Sequence, residues 1–274
     1  MDQVFSFLPV AFALIGTGIV AGLLAGLLGV GGGIVIVPVL YYLFQYFGIE
    51  PVAAMLIATA TSLATIVPTS VSSIRAHHGN GNGNVDWVLL RWLAPFIVFG
   101  VIAGSLLVTY IGGAWLTVLF GIIATLSALN MLFRTGAKPM AEQLPSRSGQ
   151  GAMGTTIGCL SVMVGIGGGT LTVPTLTAFN YPAHRAVGTA AAVGLLIALP
   201  GVATMLLAGT TPANAPVGNL GLVNWLGFAF IVPLTVLFSP VGARLGKQLD
   251  SAKLKIVFAV VLAFTGIRML LQAI

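Results

Sequence analysis

The sequence predicts an all-α polytopic membrane protein made of two inverted-topology repeats, each of about five helical elements, with broken or hairpin helices at two glycine motifs. Three observations carry this. Of 274 residues, 58% are hydrophobic and only 6% charged, with a mean hydropathy of +1.08, whereas soluble domains carry about 25% charged residues. Apolar stretches such as Val4 to Leu28, Trp87 to Thr109 and Leu254 to Leu271 reach the roughly 20 residues that cross hydrocarbon as a helix. Finally, the chain repeats itself, and its basic residues fall in loops that do not correspond between the copies.

The elements of the first copy are predicted at residues 5–28, 34–47, 52–74, 87–110 and 114–133. Those of the second are predicted at about 150–164, 170–180, 184–208, 223–245 and 253–272. Their unbroken apolar character lacks the alternation of an outer-membrane strand. The first element follows MDQVFSFLPV, which has no Lys or Arg and so lacks the positive start of a cleavable signal peptide; it is expected to be retained. Gly18, Gly22 and Gly26, and likewise Gly154 and Gly158, are spaced as helix-packing faces. The second elements are short: fourteen residues from Ile34 to Phe47 rise about 21 Å against about 30 Å of hydrocarbon.

A displacement of 136 residues superposes Gly29, Gly31, Gly32, Gly33, Val37 and Pro38 on Gly165, Gly167, Gly168, Gly169, Val173 and Pro174. One of 138 superposes Val85, Trp87, Pro95 and Phe120 on Val223, Trp225, Pro233 and Phe258. The first repeat is therefore residues 1–133 and the second 151–274, joined by a polar linker at 134–150. Arg75 and Arg91 flank one loop of the first copy, and Arg134, Lys138 and Arg147 lie in the linker, whereas the second copy places Arg244, Lys247, Lys253 and Lys255 around a different loop. Because basic loops stay cytoplasmic, equivalent loops face opposite sides, as inverted repeats require. This trace puts both termini outside and leaves only Arg268 on the wrong side. The net charge of +6 thus reflects orientation, not nucleic acid, for which no long basic cluster is present.

Each glycine triplet is too dense to keep a helix straight. A break there frees backbone groups that must be enclosed by protein or a polar cavity. New helices starting near Ile34 and Thr170 present free N–H groups and positive dipole ends, and glycine admits an anion close to the backbone. Val37-Pro38 and Val173-Pro174 are expected in or just after the first turn, where a missing N–H costs least. Candidate substrate-binding residues are therefore Gly31, Gly32, Gly33, Gly167, Gly168, Gly169 and Thr170, joined by hydroxyls of Thr61, Ser62 and Thr189 in matching stretches of the third elements. Close helix packing is the alternative use of the glycines, and bonding to a helix backbone that of the hydroxyls. Neither copy ends in the Gly-Lys-Ser/Thr of a phosphate-binding loop.

All five acids, Asp2, Glu50, Asp86, Glu142 and Asp250, map to termini or loops, which disfavours carboxylate-based ion coupling. His184 and Arg185 either receive an anion at the inner mouth or serve as an interfacial anchor. His77-His78 reads as part of a solvated glycine-asparagine turn, with no metal site. Tyr41, Tyr42, Trp87, Trp92, Trp115 and Trp225 suit an interfacial aromatic belt. Cys159, the single cysteine, permits no internal disulfide. No catalytic constellation and no cofactor motif is present, so no enzyme is predicted.

GLLGVGGG with VPVL and ATSL in the first half, and GIGGG with VPTL and AVGTA in the second, resemble the TauE/SafE sulfite exporter family over nearly the whole chain. The resemblance implies a transporter of small sulfur-containing anions, such as sulfite, sulfoacetate or thiosulfate, in a prokaryotic inner membrane. It carries the family's glycine-proline motif onto Gly31 to Gly33 with Pro38 and Gly167 to Gly169 with Pro174, and its threonine stretch onto Thr61, Ser62 and Thr189. The chain departs where related second halves read GTS: here Ala190 follows Gly188-Thr189. The expected partners are a small anionic substrate and membrane lipid, with no nucleic acid and with homo-oligomerisation open. An anion channel and a membrane anchor subunit without transport are the alternatives.

Overall fold

The computed structural model describes residues 2–78, 83–111, 113–133, 141–248 and 251–273. Ten helices account for nearly all of them: α1 (Asp2–Leu28), α2 (Gly33–Tyr46), α3 (Pro51–His78), α4 (Trp87–Ile111), α5 (Gly113–Phe133), α6 (Arg147–Val164), α7 (Gly169–Ala178), α8 (Ala183–Ala208), α9 (Trp225–Gln248) and α10 (Ser251–Ala273). Six, α1, α3, α4, α5, α8 and α9, are long and apolar enough to cross a membrane. Phe12, Phe99, Leu126 and Leu237 are well exposed on them, an arrangement suited to lipid and costly in water. By contrast, the 10 residues of α7 rise only about 15 Å, half of the hydrocarbon thickness.

The main helix pairings recur when the halves are exchanged. Helix α1 packs on α9 as α6 packs on α4; α3 meets α9 as α8 meets α4; α2 lies on α3 as α7 lies on α8; and α5 pairs with its counterpart α10. The glycine faces explain two of these pairings. A Cβ at Gly18, Gly22 or Gly26 would run into the α9 backbone around Ile231, Thr235 and Ser239, and one at Gly158 into the carbonyl of Ile97 on α4. The absent side chains let backbones approach, which is where membrane helices gain dispersion energy. At the centre α3 crosses α8. Helix α3 buries Thr59, Thr61, Ser62, Thr65, Thr69, Ser70 and Ser73, and ties itself to α9 where the Thr69 and Thr235 hydroxyls meet at 2.7 Å and Ser72 donates to the Val236 carbonyl.

Several expectations are corrected. His77 and His78 lie in the last turn of α3, not in a turn: the His77 ring is 2.9 Å from the Ser73 carbonyl, and basic residues suit a helix C-terminus. Residues 79–82 of that expected turn lie outside the described residues, as do Arg134 and Lys138. Tyr41 is 1% exposed and belongs to the core. Helix α6 begins at Arg147, inside the polar linker. A short hairpin, β1 (Asn219–Leu220) with β2 (Val223–Asn224), precedes α9, because Gly218 and Gly221 take left-handed conformations. The prolines do stand just after the first turn, as expected: Pro38 and Pro174 are the sixth residues of their helices. In that second turn they leave the carbonyls of Ile34 and Thr170 without an N–H four residues on.

Candidate functional site

The glycine motifs break the helices where the sequence predicts. Gly29 and Gly165, both left-handed, stop α1 and α6 as glycine caps do. Behind Gly165 the Ile166 N–H donates to the Ser161 carbonyl at 3.0 Å. Each of these glycines rests on the third helix of the other half, Gly29 against the Val187 carbonyl on α8 and Gly165 against Thr59 on α3. The turns are not identical: Gly31 and Gly32 have φ of 75° and 80°, whereas Gly168 is right-handed at −52°.

The two turns touch. A Cβ on Gly167 would strike the Val30 carbonyl, one on Gly169 the Gly29 carbonyl, and one on Gly33 the Gly165 carbonyl. The Gly165 carbonyl accepts a 2.7 Å hydrogen bond from Ser62. Gly32 is pressed on the Ala21 carbonyl of α1, and Gly168 on Val193 of α8. Gly31 lies against Ile66 and the Gly167 Cα, so every triplet glycine is used in close packing, and the first residue of each of α2 and α7 presses on the turn of the other half.

A cavity of about 480 Å³ reaches the contact. Its inner wall is formed by Val30 and Ile34 from one half and Gly169 and Thr170 from the other; His77, Asn84 and His184 also line it. Thr170 is 6% exposed, and its hydroxyl has no hydrogen-bond partner. It stands in the first turn of α7, where its own N–H donates to the Gly167 carbonyl at 3.4 Å and that of Thr172 to the Gly168 carbonyl at 2.8 Å, so the helix offers an anion the positive end of its dipole. No Asp, Glu, Lys or Arg is among the described lining residues, so the field there is set largely by the helix beginnings, whose positive ends favour an anion.

The other predicted residues lie elsewhere. Gly31, Gly32, Gly33, Gly167 and Gly168 do not line the cavity. Thr61 accepts the N–H of Asn224 at 2.8 Å, and its counterpart Thr189 accepts the N–H of Asp86 at 2.9 Å. Asp86 and Asn224 are themselves equivalent, being one position before Trp87 and Trp225. Asp86 caps α4 by accepting from Val88 and Leu89, as Asn224 accepts from Gly227 in α9. Arg185 is 2.9 Å from the Asp86 carboxylate, to which the Tyr181 hydroxyl also donates. Burial alone would raise the Asp86 pKa, but the N–H groups of Leu89 and Val88, the Tyr181 hydroxyl and Arg185 together hold it below its ordinary value. Burial and this carboxylate push the Tyr181 pKa up. The matched aspartate and asparagine caps were legible as D-W and N-W in register; their threonine acceptors, more than a hundred residues away, were not. Asn84 and His77 carried no local signal for a place on the cavity wall.

Paired broken helices meeting beside an internal cavity, in a multi-pass helical bundle, define the class: a polytopic membrane protein of transporter architecture. The chain belongs to the TauE/SafE sulfite exporter family, whose model, described as "Sulfite exporter TauE/SafE", matches residues 14–269. It is 31% identical over 255 residues to a "Probable membrane transporter protein" of Haemophilus influenzae, covering 93% of this chain and 96% of the relative. It is 30% identical over 269 residues to a protein of the same description from Methanocaldococcus jannaschii, covering 97% and 98%. A Bacillus subtilis relative, also described as a probable membrane transporter, is 26% identical over 285 residues, covering 95% of this chain and 97% of the relative. No solved structure matches the chain significantly.

Proposed function

We propose that this membrane transporter exports a small sulfur-containing anion, sulfite or an organosulfonate such as sulfoacetate, by alternating access across a prokaryotic inner membrane. The observation that carries the reading is Thr170, a residue at a helix beginning on the wall of a cavity with no carboxylate among its described lining residues, whose hydroxyl is buried and without a hydrogen-bond partner. The Thr170 hydroxyl and the positive dipole end of α7 hold the anion, and the glycines bring the two helix starts together so that both dipole ends act on it. One such interaction contributes at most about 2 kcal/mol; the two together with the hydroxyl offset more of the dehydration cost.

The halves are read as inverted repeats with both termini outside, from the basic residues at Arg75, Arg91, Arg185 and Arg244. On that orientation His77, Asn84 and His184 lie at the cytoplasmic mouth, and the cavity is the inward-facing state. Rocking one half against the other about the glycine contact would expose the site outward. Outward movement of a monovalent anion from a negative interior gains about 2.3 kcal/mol per 100 mV, so export needs no coupling ion. A thermal-shift titration of the purified protein with sulfite, thiosulfate and sulfoacetate, with acetate as control, tests the reading. Binding at a hundredfold excess over Kd stabilises the fold by about 2.7 kcal/mol. The account expects a shift with at least one sulfur anion, reduced in Thr170→Val. No shift with any of them, or an unchanged shift in the variant, refutes it.

A further inference from the structure

We propose that a second site, on the outside of the bundle between the beginnings of α4 and α6, binds the phosphodiester headgroup of an anionic phospholipid. A cleft of about 540 Å³ lies there, lined by Asp86, Val88, Arg91, Trp92, Arg147 and Gln150 among others. Arg147 stacks on the Trp92 ring with its guanidinium carbon 4.7 Å from the centroid, which fixes a long cation at the wall. Arg91 stands on the same rim, exposed. Among the described residues neither arginine has a carboxylate within ion-pair distance. The acid of the cleft, Asp86, is already engaged by Arg185, Tyr181 and two backbone N–H groups, so the cleft keeps an excess of two positive charges. The Trp92 indole N–H is buried without a partner.

Guanidinium groups match phosphate oxygens in geometry as well as charge, whether the phosphate is free or in a headgroup. Two features select a lipid over a free anion: tryptophan favours the headgroup level, and an apolar surface adjoins the cleft. Below the cleft, the same face of α4 continues as a lipid-facing stripe: Val88, Phe99 and Ile102 are 82%, 66% and 45% exposed, and with Arg91 and Pro95 they recur three or four residues apart. Ile102 lies about 16 Å along the axis from Arg91, so a headgroup held by the arginines lays its acyl chains on this stripe. The site does not depend on which anion is carried or on the transport cycle.

The test is native mass spectrometry of the intact protein in detergent with phosphatidylglycerol and phosphatidylcholine of identical chains. The wild type is expected to retain phosphatidylglycerol preferentially. Arg91→Gln and Arg147→Gln should each lower that preference about fivefold, the contribution of one basic residue at an anionic surface, and the double variant should abolish most of it. Arg244→Gln, a basic change elsewhere on the molecule, should leave it intact, and soluble glycerophosphoglycerol should compete weakly because it lacks chains. Equal retention of the two lipids, an undiminished preference in the double variant, an equal loss in Arg244→Gln, or competition by the soluble headgroup as strong as by the lipid would each overturn the proposal.

Discussion

Replacing Gly169 by alanine separates the packing of the two helix beginnings from ordinary helix energetics by sign. Gly169 is the first residue of α7 and does not have a positive φ, so alanine is conformationally allowed there. In a helix without neighbours, glycine to alanine at a compatible position stabilises by about 0.4–1 kcal/mol. Here the added Cβ overlaps the Gly29 carbonyl and the Val30 Cα, both backbone, and no side-chain rotation relieves the contact. Overpacking costs about 1–3 kcal/mol, and so close an approach to rigid backbone belongs at the upper end, so the net effect is a destabilisation of about 2 kcal/mol. Gly48 supplies the control: its φ is 79° with nothing within 4 Å of a Cβ, and alanine there carries only the left-handed strain of about 1–2 kcal/mol. Thermal unfolding in detergent, at about 2–4 °C per kcal/mol for a chain of 150–250 residues, reads both. Gly169→Ala should lower the midpoint by several degrees and impair transport, whereas Gly48→Ala should lower the midpoint alone. A Gly169→Ala protein that unfolds at or above the wild-type midpoint would show that the two turns do not press on one another.

Three further predictions follow from the site. Thr61→Val and Thr189→Val each strip the acceptor from an N–H, the buried one of Asn224 and the part-buried one of Asp86; each should cost about 1–3 kcal/mol, the second at the lower end, and the double variant, whose sites share no partner, should lose close to the sum in denaturation measurements. Asp86 is held below its ordinary pKa, so its contribution is fully present above the unfolded value of about 3.9 and is lost as pH falls through the lower folded value; Asp86→Asn should be less stable at neutral pH and less sensitive to acid in a pH series of melting curves. With Cys159 replaced by alanine, single cysteines at Gly83 and Asn214, in equivalent loops, should react with an impermeant maleimide from opposite faces of sealed vesicles; labelling from one face would remove the inverted arrangement.

Much of the helical framework was legible because hydropathy acts over twenty residues at a time: the stretch expected at 87–110 is Trp87–Ile111, and that at 34–47 is Gly33–Tyr46. Short-range chemistry was less legible. The hairpin before α9 has two-residue strands, too short for any periodicity, and depends on Gly218 and Gly221. His77 looked like loop, yet its ring finds the Ser73 carbonyl one turn back. The same residue types serve two roles in the candidate site: Thr61, Ser62 and Thr189 hold backbone groups 163, 103 and 103 residues away, while Thr170 holds none. Only the folded arrangement distinguishes them, since the difference lies in what stands opposite each hydroxyl.

Efflux from sealed proteoliposomes loaded with radiolabelled sulfite or sulfoacetate tests the central claim most directly. Under an inside-negative potential, the account predicts saturable efflux that rises with the potential and falls sharply in Thr170→Val, while a protein carrying Gly48→Ala still exports. Efflux no faster than from empty liposomes, or a rate that Thr170→Val leaves untouched, would contradict it.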